Sequence, residues 1–209
     1  MKRLVKELKY SLYIAVHPFK GFWDLKHEKM GSFRSAMVLV TLAVLMQVLA
    51  AYFTEFLLNS TRIESYNLLT TIAVGYGIFF GFCISNWCFT CLSDGEGTLR
   101  DIMTAVGFSL APYILTSLLQ IPISYFLVSH EIPLYNLLGS VGYIWTGVLI
   151  VFGILTVHQY SFRKTIVICL ATIVGMAVMI YIGILFLNLI QVMVSFFTEL
   201  MDEIRITLH

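Results

Sequence analysis

Charge is what this sequence has least of. Only 12% of its 209 residues are Asp, Glu, Lys or Arg, whereas 59% are hydrophobic and the mean hydropathy is +0.88. A water-soluble fold of this size needs many more polar side chains to cover its surface. The scarcity of charge therefore excludes an ordinary soluble domain and makes lipid the expected solvent for most of the chain.

Cysteine and histidine are too few and too dispersed to predict a metal or redox centre. The five histidines are scattered, no His-Glu-x-x-His pattern occurs, and Cys88 and Cys91 form the only Cys-x-x-Cys pair. That pair lies in an apolar segment, which favours a role as small hydrophobic side chains. The glycine-rich loop SDGEGTLRD, residues 93–101, fits neither a phosphate-binding loop nor an EF-hand. We therefore expect no metal, no cofactor and no catalytic residue.

Long apolar runs are what the chain does contain. Five of them exceed the roughly 20 residues that cross about 30 Å of hydrocarbon as a helix. The predicted spans cover about residues 36–58, 68–92, 102–129, 135–158 and 165–194. The sequence thus predicts an all-α membrane bundle of five transmembrane helices in one domain, residues 36–198, followed by an extracytoplasmic tail at 199–209.

The distribution of Lys and Arg predicts the orientation of the bundle. Eleven of these cations fall before the first span or in loops on the same side, and two fall on the other side. Since cytoplasmic loops carry the excess of Lys and Arg, we expect a cytoplasmic amino terminus and an external carboxyl terminus.

Residues 1–35 form a basic cytoplasmic segment. Apolar residues recur at helical spacing from Leu4 to Val16, with lysines mostly opposite, which predicts a short amphipathic helix lying flat in the headgroup region. Pro18 then ends this helix. The next stretch, Phe19–Lys29, which we call the elbow, combines aromatic anchors with cations. A pure topology anchor and a contact surface for a partner are both open.

Two polar segments on the predicted cytoplasmic side are candidate contact sites for another membrane protein. The candidates are Phe19, Phe22, Trp23, Asp24 and Lys26 in the elbow, and Asp94, Glu96 and Arg100 in the loop between the second and third spans. The expected partners are the lipid bilayer, other membrane proteins such as a transporter complex, and a second copy of the chain, but no nucleic acid.

Small residues and prolines mark two of the spans. Gly77, Gly81 and Ser85 follow one another at four-residue intervals, which is typical of a close helix–helix contact. Pro112 and Pro122 each remove a hydrogen bond from the third span and predict bends there. A bent helix leaves a small transporter or channel, or a subunit of one, as an alternative function, although no ion pair within the membrane supports it. A membrane enzyme acting on lipid through Asp94 and Glu96 is a third hypothesis.

Two segments resemble bacterial members of the Yip1 family: HPFKGFWDLKHEKMGSF before the first span and GEGTLRDIMTAVGFSLAPYIL leading into the third. The likeness extends over about residues 17–190. Gly107, Phe108, Ser109 and Pro112 match the glycine, aromatic and small residue followed by proline that recur in a central span of that family.

Eukaryotic Yip1-like proteins carry a fuller Asp-Leu-Tyr-Gly-Pro motif and bind Rab-type GTPases through a longer cytosolic region. Here only Asp24 and Leu25 match that motif. The resemblance therefore implies a multi-pass protein of the bacterial plasma membrane that acts as a non-catalytic scaffold or accessory subunit, and the fold carries over better than the activity.

Overall fold

The computed structural model describes residues 2–54, 67–127 and 129–207, and every regular element in these ranges is a helix. The helices are α1 (Lys2–Val16), α2 (Pro18–His27), α3 (Phe33–Phe53), α4 (Leu68–Leu92), α5 (Leu99–Ser109), α6 (Ala111–Ser124), α7 (Ile132–His158) and α8 (Phe162–Thr207), with a 3₁₀ turn at Ser129–Glu131. Five segments are long and apolar enough to cross a membrane: α3, α4, α5 with α6, α7 and α8. The predicted all-α fold with five spans is confirmed.

The third span is divided by a break at Leu110. α5 ends at Ser109, and α6 starts two residues later with Pro112 in its first turn. Because proline has no backbone N–H, it cannot donate to the carbonyl of Phe108. Leu110 N instead closes a tighter turn by donating to Gly107 O at 3.3 Å.

The third predicted span differs in length from the helices observed there. Pro122 lies inside α6, which ends two residues later at Ser124, whereas the predicted span continues to 129. The end of the first predicted span, residues 55–58, lies outside the described residues.

α8 continues as one helix through most of the predicted tail. Its 46 residues correspond to about 69 Å, more than twice the hydrocarbon thickness. No glycine or proline occurs between Ile184 and Thr207, so nothing in the sequence stops the helix there. The last two residues of the predicted tail lie outside the described residues.

The core extends from one end of the bundle, where α2, α4 and α7 end and α3 and α5 begin, to the middle of α4 and α7; we call that end the elbow end. The largest fully buried hydrophobic side chains of this core are Ile14, Phe22, Val40, Ile102, Phe108 and Leu149. α3 and α5 approach closely, since a Cβ on Gly107 would lie 2.8 Å from Ala36 Cβ.

α1 and α2 form a hairpin that packs against the bundle. A Cβ on Gly21 would lie 2.8 Å from Ile14 Cγ1, and Tyr10 Oη donates to Asp24 Oδ2 at 3.1 Å. Ser32, which caps α3, donates through Oγ to Glu7 Oε2 at 2.5 Å. The face of α1 that carries Glu7 and Ile14 is buried, so this helix lies against other helices.

The turn of the hairpin lies far along α7 from the elbow end. Trp145 Nε1 donates to Ala15 O at 2.9 Å, and Trp145 precedes His158, the last residue of α7, by 13 residues, or about 20 Å of helix. The sequence predicts a helix lying flat at the surface, whereas this contact places the end of α1 well below the end of α7. Glu7 and Ser11 lie on the buried face of α1 but are polar, so the pattern of hydrophobic residues does not indicate that this face is packed.

Because of this depth, Val16, which is exposed beside the turn, should face lipid. In a variant without the four native cysteines, we expect a membrane-impermeant maleimide to label Lys9→Cys in sealed vesicles that expose the elbow end. Val16→Cys should be labelled only after solubilisation and unfolding. Equal labelling rates of the two positions in intact vesicles would show that the hairpin lies at the surface.

Candidate functional site at the elbow end

The elbow presents one face of α2 to the bundle and the other outward. Phe22 is 1% exposed and packs on Gly153 of α7, where a Cβ would lie 3.2 Å from its ring. Phe19 and Trp23 are 61% and 52% exposed. Phe22 is therefore a core residue, because its position on α2 faces α7. The aromatic and charged composition of the elbow suggested instead that Phe22 is a surface contact. Phe19 and Trp23 remain as the aromatic surface of the elbow.

Lys26 joins the elbow to the loop between α4 and α5. Its Nζ donates to Val157 O at 2.7 Å and lies 3.7 Å from Glu96 Oε2. Val157 O is one of the last carbonyls of α7, which have no partner within the helix and favour a nearby cation. The two candidate segments, far apart in sequence, thus form one continuous surface.

The loop has a fixed shape at both ends. Asp94 adopts a left-handed conformation with φ of 55°, and Gly95 N then donates back to Thr90 O at 2.9 Å, which closes the end of α4. At the other end, Thr98 and Asp101 form a reciprocal capping box for α5, with Thr98 Oγ1 donating to Asp101 Oδ2 at 2.6 Å.

His158 lies at the centre of the site and was not among the residues predicted. Its ring is 2% exposed, and Gly97 N donates to its Nδ1 at 3.2 Å. Since Nδ1 accepts, the proton of the neutral ring is on Nε2, which has no hydrogen-bond partner among the described residues. Its position at the end of a span indicated only an interfacial residue, and a burial of this kind depends on the loop that covers it.

Tyr160, in the turn before α8, and Lys164, in the first turn of α8, cover the site from this side. Both side chains donate to Ser93 O at the end of α4, Tyr160 Oη at 3.0 Å and Lys164 Nζ at 2.6 Å. Lys164 Nζ also lies 4.2 Å from the centroid of the Tyr160 ring. Burial, and then the charge of Asp94, raise the pKa of Tyr160, so its hydroxyl stays protonated and remains a donor.

The other predicted contact residues also lie at the elbow end. Asp24 accepts from Tyr10 within the hairpin, and the guanidinium of Arg100 lies 5.9 Å from the centroid of the Phe33 ring. Arg100 is exposed, and Asp24 is partly buried. The structure therefore places all eight predicted contact residues at one end of the bundle.

The small residues of α4 face α8 along part of their length. Ser85 Oγ donates to Thr172 O at 2.9 Å, and a Cβ on Gly81 would lie 3.6 Å from Met176 Cγ. A Cβ on Gly77 would meet no described atom within 4 Å. The contact with α8 thus involves Gly81 and Ser85 and does not include Gly77.

Polar residues of the third span are used in packing. Ser109 Oγ donates to Ala105 O at 2.8 Å within α5, and Gln120 Nε2 donates to Tyr135 O of α7 at 3.1 Å. A Cβ on Gly142 of α7 would overlap Thr116 of α6. Gln120 thus joins this span to α7, whereas Ser109 bonds within its own helix.

Within residues 2–54, 67–127 and 129–207, no three His, Cys, Asp or Glu side chains are grouped as metal ligands. Cys88 and Cys91 are exposed, and neither is in a disulfide. The arrangement at the elbow end offers charge, aromatic surface and hydrogen-bond donors, which suit binding.

The fit of the loop over His158 predicts a steric effect at Gly97. In Gly97→Ala, the new Cβ would lie 2.8 Å from His158 Cε1 and closer still to Val157, although the backbone itself is compatible with alanine. We expect a loss of about 1–3 kcal/mol in the free energy of unfolding, measured by denaturation in detergent. Gly77→Ala is the matched control and should cause no loss, because its Cβ meets nothing. Equal stability of the two variants would contradict the close packing of the loop.

Comparison with known proteins agrees with this architecture. No curated protein and no solved structure matches the chain. The Yip1 domain, as a family model, matches residues 12–185, which include the elbow, the loop and all but the end of the last span. With most of its length matched, this membrane protein belongs to the Yip1 family.

Proposed function

We propose that the chain is a non-catalytic scaffold or accessory subunit that binds another membrane protein through the elbow and the loop at residues 94–101. The observation that carries the proposal is the contact of Lys26 with both Val157 O and Glu96. This contact joins the elbow, with its exposed Phe19 and Trp23, to the loop, with its exposed Asp94 and Glu96.

Exposed aromatic side chains beside charges support a binding role. Phe19 and Trp23 lie on the outer face of α2, next to the exposed cation Lys20. Aromatic residues supply much of the binding free energy at protein interfaces, and surrounding charges guide the choice of partner.

Rigidity of the surface also supports the proposal. α2 is fixed by the burial of Phe22, and the loop is fixed by hydrogen bonds at Gly95, Gly97 and Thr98. A preformed surface loses little conformational entropy on binding. The groups with acid–base chemistry are engaged in structure, since His158 accepts from Gly97 and Asp101 caps α5, which favours binding over catalysis.

A pull-down in gentle detergent tests the partner-binding role. We expect Phe19→Ala/Trp23→Ala to lose a stable membrane partner that co-purifies with the wild-type chain, because the double variant removes the aromatic surface without opening the core. The partner is identified by mass spectrometry. The amount of partner recovered should fall at least tenfold, as expected when the free energy of binding weakens by about 1.4 kcal/mol.

The matched control is Phe53→Ala/Phe126→Ala, which removes two exposed aromatic rings at the opposite end of α3 and after α6. This variant should retain the partner. Equal recovery from the elbow variant and the wild type, or equal loss in both double variants, would contradict binding at the elbow.

We further infer that the chain lies in the plasma membrane of a bacterium, with the elbow end in the cytoplasm. The excess of Lys and Arg at that end supports this orientation. A reporter that is active only outside the cytoplasm should be active when fused after His209 and inactive when fused before Met1. A reversed pattern would place the elbow and the loop on the external side.

A further inference from the structure

A second feature of the elbow end is a cavity of about 400 Å³ between α2, the start of α3 and the start of α5. Its polar lining consists of Lys26, Lys29, Ser32, Arg100, Asp101 and Thr104. Lys29 and Arg100 are exposed, so the cavity is accessible from outside the bundle. Its volume lies within the range of sites for small ligands.

The charge of the lining is predominantly positive. Lys26, Lys29 and Arg100 face a single carboxylate in the lining, that of Asp101. Asp101 accepts from Thr98 N and Thr98 Oγ1 and is thereby committed to capping α5. Among the described residues, the only ion pair at the cavity is Lys26 with Glu96, at 3.7 Å, which leaves Lys29 and Arg100 unneutralised.

The hydroxyl groups in the lining are already used as donors. Ser32 Oγ donates to Glu7 Oε2, and Thr104 Oγ1 donates to Arg100 O at 2.7 Å. Recognition of a ligand therefore depends on the cations, together with the positive ends of α3 and α5, which begin at the cavity wall. The guanidinium of Arg100 lies 5.9 Å from the centroid of the Phe33 ring, at the edge of the cavity.

We propose that this cavity binds a phosphate group. Lys29 and Arg100, two unneutralised cations from two segments of the lining, can provide charge-assisted and bidentate hydrogen bonds that match phosphate oxygens, and the engaged Lys26 adds positive charge. The phosphate belongs either to the headgroup of an anionic lipid in the adjacent leaflet or to a soluble phosphate compound, since the cations recognise the same group in both. Binding here does not require the protein partner proposed above.

The test uses the purified full-length chain in an uncharged detergent, with thermal unfolding as the readout at constant ionic strength. One arm adds inorganic phosphate, and the other adds a short-chain phosphatidic acid compared with the diacylglycerol of the same chains. A ligand that binds the folded state raises the unfolding temperature with concentration. We expect stabilisation in at least one arm and none from diacylglycerol.

The variants identify the site. Arg100→Gln and Lys29→Gln should each weaken the apparent affinity about tenfold, as expected for loss of one charge-assisted hydrogen bond. Lys20→Gln is the control, because it makes the same charge change on the elbow but lines a different groove, beside Trp23 and Gln159. Both cavity residues are exposed, so the variants should unfold at the wild-type temperature without ligand.

Each outcome decides the proposal. Stabilisation by phosphatidic acid alone supports the cavity as a lipid headgroup site, and stabilisation by inorganic phosphate supports a site for soluble phosphate. No stabilisation in either arm overturns the proposal. Equal weakening by Lys20→Gln and Arg100→Gln also overturns it, since that result indicates attraction by net charge only.

Discussion

The elbow end depends on how the carbonyls at the ends of α4 and α7 are satisfied. The last carbonyls of a helix have no partner within it and need donors from elsewhere. Here Ser93 O accepts from Tyr160 and Lys164, and Val157 O accepts from Lys26. The donors come from the elbow and from the start of α8, so satisfying these carbonyls also fixes the elbow against the end of α7 and the start of α8 against the end of α4.

Close packing against His158 and Tyr160 explains why the loop between α4 and α5 is rich in glycine. A Cβ on Gly95 would lie 2.6 Å from both His158 Nδ1 and Tyr160 Oη. Glycine here allows the backbone to lie directly on the two rings, which stack with centroids 5.3 Å apart. Neither loop glycine has a positive φ, so their role is close approach, whereas the tight turn at the end of α4 is made by Asp94. The turn suggested by the glycine-rich sequence is present, but its physical cause differs.

Much of the fold could be predicted from the sequence, and much less of the site. Hydrophobic length identifies the five spans because the bilayer imposes a minimum on each, and Pro112 marks the break in the third. The burial of Phe22 and His158 could not be predicted, because it depends on contacts with segments more than 60 residues away. The hairpin of α1 and α2 was missed for a related reason, since Glu7 on its buried face imitates a solvent-exposed residue.

The cations of the elbow end have separate roles that a count of charges does not distinguish. Lys26 and Lys164 donate to backbone carbonyls at helix ends, where a positive charge also offsets the negative end of the helix dipole. Lys29 and Arg100 make no such bond among the described residues and remain available to a ligand. The positive excess at the elbow end is thus partly structural and partly free. Substituting Lys26 therefore disturbs helix capping together with any binding, whereas Lys29 and Arg100 report on binding alone.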